Sequence, residues 1–151
     1  MAEFTYPEEQ NVPYGQAALL NNTTCGCNKN HIVHQNGFGG ITLKGIVNNP
    51  YASYAQFEVM FSADIALAEG ATVGEISAAL SINGEVVTDT IASATPAAVG
   101  DFWHVSGFKT VLVPKDCCPM VAVENVSPAQ GATPNPTIVM RYLNVSVKRI
   151  A

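Results

Sequence analysis

The stretch YAQFEVMFSADIAL, residues 54–67, decides the fold class. Its odd-numbered positions Ala55, Phe57, Val59, Phe61, Ala63, Ile65 and Leu67 are all apolar, while Glu58, Ser62 and Asp64 fall between them. Side chains alternate across a strand, so this period of two places one face in a core and the other towards solvent. Downstream, VGEISAALSI repeats the pattern, with Ile76, Ala78, Leu80 and Ile82 set against Glu75, Ser77 and Ser81. It then meets Asn83-Gly84 and continues as EVVTDTI. Asn-Gly between two alternating runs predicts a two-residue hairpin, because both central positions need positive φ.

Outward from this hairpin, FWHVSGFKTVLV, PMVAVENV and TIVMRYLNVSVKRI read as further strands, with a bulge expected at Gly107 where the alternation slips. Turn-rich pieces such as NGFGG, NNP, ATPAAVG and SPAQGATPNP separate them. Helical periodicity is nearly absent: Gly70 and Gly74 interrupt the one alanine-rich stretch that invites it. Many antiparallel strands within 151 residues predict a single all-β domain, a sandwich or a jelly roll.

The closing strand carries a second expectation. Val139, Leu143, Val145 and Val147 define one face, and the opposite face begins with Ile138, Met140 and Tyr142 before turning polar at Asn144, Ser146 and Lys148. A strand apolar on both sides has one face in the core and the other against a second subunit, so Ile138, Met140 and Tyr142 are expected at an interface. The competing reading places them under a loop of the same chain.

Charged residues are only 13% of the chain, so either partner subunits cover much of the surface or Asn, Thr, Ser and Gly solvate it. A net charge of −5 speaks against nucleic acid, whose binders carry basic patches. No apolar run approaches the roughly 18–20 residues of a membrane helix. The first residues lack the basic start and apolar run of a secretory signal, so synthesis in a cytosol is expected. The sequon-like triplets at Asn22, Asn125 and Asn144 are expected to be coincidental in an Asn-rich chain.

Residues 1–24 fall outside the alternating pattern. Phe4, Tyr6, Val12, Tyr14, Leu19 and Leu20 offer apolar anchors, and Pro7 and Pro13 favour extended backbone, which suggests an attachment arm that orders on docking. An edge strand with a frayed end is the alternative.

Reactive side chains concentrate in CGCNKNHIVH, residues 25–34, and in the adjacent pair Cys117 and Cys118. A clasp of Cys25, Cys27, Cys117 and Cys118, with His34 as a possible replacement ligand, is open to three readings: a structural zinc site, disulfides, or inert thiols. His31 and His34, three positions apart, point to opposite sides of an extended segment. Neighbouring cysteines cannot share one core, so at least one of Cys117 and Cys118 should face outwards. No nucleophile-elbow, P-loop or dinucleotide fingerprint occurs, and no catalytic residue is assigned. Exposed aromatics beside polar groups would mark a glycan site, and Tyr51, Tyr54, Phe102 and Trp103 are the candidates.

Taken in order, HIVHQNGFGGITLKGIV, YAQFEVMFSADIAL, SINGEVV, FKTVLVPKDCCPMVAVENVS and RYLNVSVKRIA resemble small phage and prophage structural proteins of gut Firmicutes. Those proteins carry a jelly roll like that of tumour necrosis factor and the complement globular head. The resemblance covers residues 25–151 and implies an antiparallel jelly-roll sandwich assembled as a homotrimer. It also implies a non-enzymatic role on the virion, as capsid decoration, head fibre or tail-associated knob in contact with capsid or tail proteins, after synthesis in the bacterial host's cytoplasm. An adhesion module that binds carbohydrate or a receptor is the alternative from another class.

Overall fold

The computed structural model describes residues 2–22, 31–129 and 135–150. Strands β1 (Ala2–Tyr6), β2 (Gln10–Val12), β3 (Asn21–Asn22), β6 (Tyr54–Leu67), β10 (Trp103–Pro114) and β12 (Ile138–Arg149) make the first sheet, in the order β10-β6-β12-β1-β3 with β2 also on β12. Strands β4 (Ile32–Val33), β5 (Ile41–Leu43), β7 (Ile76–Ile82), β8 (Glu85–Val86), β9 (Ala92–Ala94) and β11 (Met120–Asn125) make the second, in the order β4-β5-β11-β7-β8 with β9 on β7. All these pairings are antiparallel. Among the described residues the helical content is one 3-10 turn, Thr88–Thr90, and no helix is long and apolar enough to cross a membrane.

The chain is an all-β antiparallel sandwich of jelly-roll type, and the alternation in residues 54–67 sets the core-facing side of its 14-residue strand β6. The seven odd-numbered side chains of β6, from Ala55 to Leu67, are buried and meet Ile41, Leu43, Leu80, Val121 and Val123 of the second sheet in one core. Asn83 and Gly84 have φ of 53° and 82°, so the hairpin joining β7 to β8 forms as its two residues dictate. Both faces of β7 are buried, because Ser77 bonds Ser93 and Ser127 on the side away from the core.

Two features of the strands differ from expectation. Gly107 is not a bulge: β10 pairs with β6 without interruption from Trp103 to Pro114. A Cβ at Gly107 would lie 2.5 Å from the Phe61 ring and 2.9 Å from the Thr90 carbonyl, so the glycine makes room for that ring. The bulge falls in β12 instead, where Tyr142 and Leu143 stand opposite the single residue Ala63. Tyr142 takes φ of 52° there, an uncommon conformation for a bulky side chain.

That extra residue reverses the phase of β12. Ile138 and Met140 point into the core before it, and Leu143, Val145 and Val147 point into the core after it. Ile138 and Met140 therefore cannot form a subunit interface. Of the three expected interface residues only Tyr142 is at the surface, 61% exposed.

The N-terminal segment is also part of the sandwich. β1 pairs with β12 from Ala2↔Val147 to Tyr6↔Leu143, and β2 pairs with it at Ile138↔Val12. Phe4, Val12 and Leu20 lie in the core and Tyr6 packs on it, while Tyr14 and Leu19 are exposed. The separation of an arm at residues 1–24 from a jelly roll at 25–151 gives way to one body that includes residues 2–22.

Buried Asn125 fastens this segment. Its Nδ2 donates to the carbonyls of Val12 and Pro136, both at 2.8 Å, and its Oδ1 accepts from the backbone N–H and the hydroxyl of Ser127. Asn125 has 0% exposure, so its sequon is closed to modification in the folded chain.

Candidate functional site

The turn NNPYA, residues 48–52, builds the most ligand-like surface. Asn49 Oδ1 accepts the Tyr51 N–H at 3.0 Å and the Asn49 carbonyl accepts the Ala52 N–H at 3.1 Å, which closes a tight Asx-type turn just before β6. The turn carries Tyr51 outwards, 96% exposed, with Tyr54 half-exposed at the start of β6. Tyr54 and Gln56 occupy the even-numbered, outward positions of that strand.

Between these aromatics and Arg149 lies a depression of about 540 Å³, lined also by Val47, Asn48, Asn49, Ser53 and Gln56. Arg149 comes from the far end of the sequence. It continues the inward phase of Val145 and Val147 beyond the last core layer, so its side chain crosses the open end of the sandwich. Its Nη2 donates to the Ile46 carbonyl at 2.6 Å, and its Nη1 lies 2.8 Å from Nδ1 of His31 and 3.1 Å from Nε2. Burial first, and the Arg149 charge second, hold the His31 pKa below its ordinary value, so a neutral imidazole receives the guanidinium. The depression thus offers two phenol rings, several amide and hydroxyl groups, and one guanidinium braced from behind.

The other candidate aromatics lie at the opposite end of β6, since Trp103 pairs with Ile65 while Tyr54 pairs with Pro114. Arg141 stacks its guanidinium 3.7 Å above Phe102, which uses that ring within the protein. Trp103 is half-exposed and its indole N–H reaches Asp101 at 3.3 Å. His104, next to it, is an outward residue bonded to Asp64 at 3.1 Å.

The expected clasp is only partly in view, because Cys25 and Cys27 lie outside the described residues. Cys117 and Cys118 are free and both exposed. His34 is engaged elsewhere: its Nε2 meets the Phe38 carbonyl at 2.6 Å and its ring packs 4.8 Å from that of Phe4. Among the described residues no three His, Cys, Asp or Glu side chains are grouped to hold a metal ion. Sequence reasoning singled out Tyr51 and Tyr54 but missed Arg149, Asn48, Asn49 and Gln56. The Asn-Asn-Pro-Tyr turn was the available signal for the two asparagines, whereas only the fold brings Arg149 to them.

No family model matches the chain and no curated protein matches it in sequence. Solved structures do match in shape. One is the globular domain of the zebrafish complement 1qA protein, at 14% identity and a TM-score of 0.62 over 99% of this chain and 98% of that one. Two others are the C-terminal domain of EclA, described as a sugar-binding protein (14%, TM-score 0.36, 84% and 90%), and a family 35 carbohydrate-binding module from Clostridium thermocellum (16%, TM-score 0.35, 96% and 98%). At its low identity the first shows the fold alone, and the other two are too distant in shape to carry an argument.

Proposed function

We propose that this chain is a non-catalytic binding module whose ligand is a carbohydrate held in the depression between Tyr51, Tyr54 and Arg149. The observation that carries the reading is Tyr51, a ring held out of the core by its own Asx turn at the mouth of a polar depression. A sugar ring presents an apolar C–H face and a rim of hydroxyls. A phenol ring suits the first, and the side-chain groups of Asn48, Asn49, Gln56 and Arg149 suit the second. Screening the chain against arrayed mono- and oligosaccharides tests this. Saturable binding of at least one glycan class is expected, and silence across the array at millimolar sugar would count against it.

For assembly, we propose a homotrimer that uses the outer face of the first sheet. Met60 and Phe108 are direct cross-strand partners there, and with Leu112 they leave three large apolar side chains 51–55% exposed on adjacent strands. This face replaces Ile138 and Met140 in that role. The resemblance to phage structural proteins supports display on a virion as the setting, with contacts to capsid or tail proteins made by the folded body rather than by a free arm. Imaging of native particles labelled with an antibody to the chain tests that setting, and unlabelled particles would oppose it.

A further inference from the structure

A second concavity, unrelated to the first, lies on the outer face of the second sheet. Its volume is about 560 Å³, within the range of small-molecule sites. Gly15, Ala17, Gly39, Gly40, Ser81 and Ala122 lay a floor of small residues, and half-exposed Leu19, Phe38 and Met120 form apolar walls. The chain builds it by laying residues 15–18 along β11. The Ala18 N–H donates to the Val123 carbonyl at 2.8 Å and Gly15 N–H to the Asn125 carbonyl at 2.9 Å.

One lining residue is out of character. Val121 and Val123 point into the core, so Ala122 and Glu124 point out into the groove. Glu124 is 8% exposed, and its carboxylate makes no hydrogen bond or ion pair among the described residues. Its oxygens open onto the groove, so a cation entering there would meet a carboxylate that the fold itself leaves unpaired. Among the described residues it is also the sole charged side chain in the groove's lining.

We propose that this groove binds a small hydrophobic ammonium compound, an alkyl or aryl primary amine. Its cationic head pairs with Glu124 and its apolar body lies between Leu19, Phe38 and Met120. The ammonium supplies both the positive charge and the N–H donors that the carboxylate lacks, and the small floor residues leave room for the body. The site is separate from the proposed carbohydrate site in residues and in ligand chemistry, so either stands without the other.

Titration calorimetry with 4-phenylbutylamine and its uncharged counterpart 4-phenylbutanol, at neutral pH, tests the proposal. Wild-type protein should bind the amine at least tenfold more tightly than the alcohol. Glu124→Gln should reduce amine affinity at least tenfold and leave the alcohol unchanged, and Ala122→Phe, which fills the groove beside the carboxylate, should abolish both. Tyr51→Ala should change neither. Should Glu124→Gln fail to fold, the amine–alcohol comparison in wild type and the Ala122→Phe variant still decide. No amine binding at millimolar concentration, equal binding of amine and alcohol, or amine binding that survives Ala122→Phe would each overturn the proposal.

Discussion

Deleting Tyr142 should unfold this protein or nearly so, whereas replacing it by glycine should not. Tyr142 is the extra residue that lets Ile138 and Met140, on one side of the bulge, share a core with Leu143, Val145 and Val147 on the other. Removing one residue restores a strict period of two through β12, and a one-residue slip turns a whole run of side chains to the other face. If the longer second half keeps its register, Ile138 and Met140, both at 0% exposure, turn outwards. Full burial of such side chains contributes about 1.5–3 kcal/mol each, so the pair alone is worth roughly 3–6 kcal/mol. A domain of this kind has a total stability of about 5–15 kcal/mol. Tyr142→Gly keeps the residue count and the bulge, and relieves the roughly 1–2 kcal/mol that a left-handed conformation costs an ordinary residue, so it should be neutral or slightly stabilising. Equilibrium urea denaturation of both variants separates these outcomes. A deletion variant within about 1 kcal/mol of wild type, or a glycine variant as damaged as the deletion, would refute the role given to the bulge.

Asn125→Ala should cost about 3–5 kcal/mol, since it orphans two buried carbonyls and the Ser127 N–H; chemical denaturation measures it, and a loss below about 1 kcal/mol would contradict the clamp. His31, whose pKa is lowered in the fold, should make stability fall as pH drops below about 6.5, because the unfolded chain takes up the proton first. Comparing wild type with His31→Asn between pH 7.5 and pH 5 isolates that contribution, and identical pH profiles would refute it. Phe108→Glu, in the centre of the exposed apolar face, should leave the fold intact and shift the mass seen by light scattering from trimer to monomer, whereas a wild-type monomer at micromolar concentration would remove the proposed assembly.

The sandwich was legible wherever local pattern and tertiary burial agree. The β6 alternation and the Asn83-Gly84 hairpin are examples, because each depends on neighbouring residues alone. The β12 bulge was not legible, since it rests on a tyrosine in a conformation usually left to glycine or asparagine. A bulge inside an alternating strand looks the same as a strand apolar on both faces. That ambiguity produced the mistaken interface at Ile138 and Met140. Residues 1–24 looked like an arm for a related reason: the strands β1 and β2 within them are short, and their pairing partner β12 lies more than a hundred residues away. Of the candidate site, the turn with Tyr51 could be read from its Asn-Asn-Pro punctuation. Arg149 and the Glu124 groove arise from long-range packing that no local window contains.

The most direct test of the binding reading is a calorimetric titration of a glycan taken from the array into wild-type protein and into Tyr51→Ala. Tyr51 is almost wholly exposed, so its loss should leave the unfolding free energy within about 0.5 kcal/mol of wild type. The account predicts at least a tenfold loss of affinity on an unchanged fold, and affinity undiminished in Tyr51→Ala would contradict it.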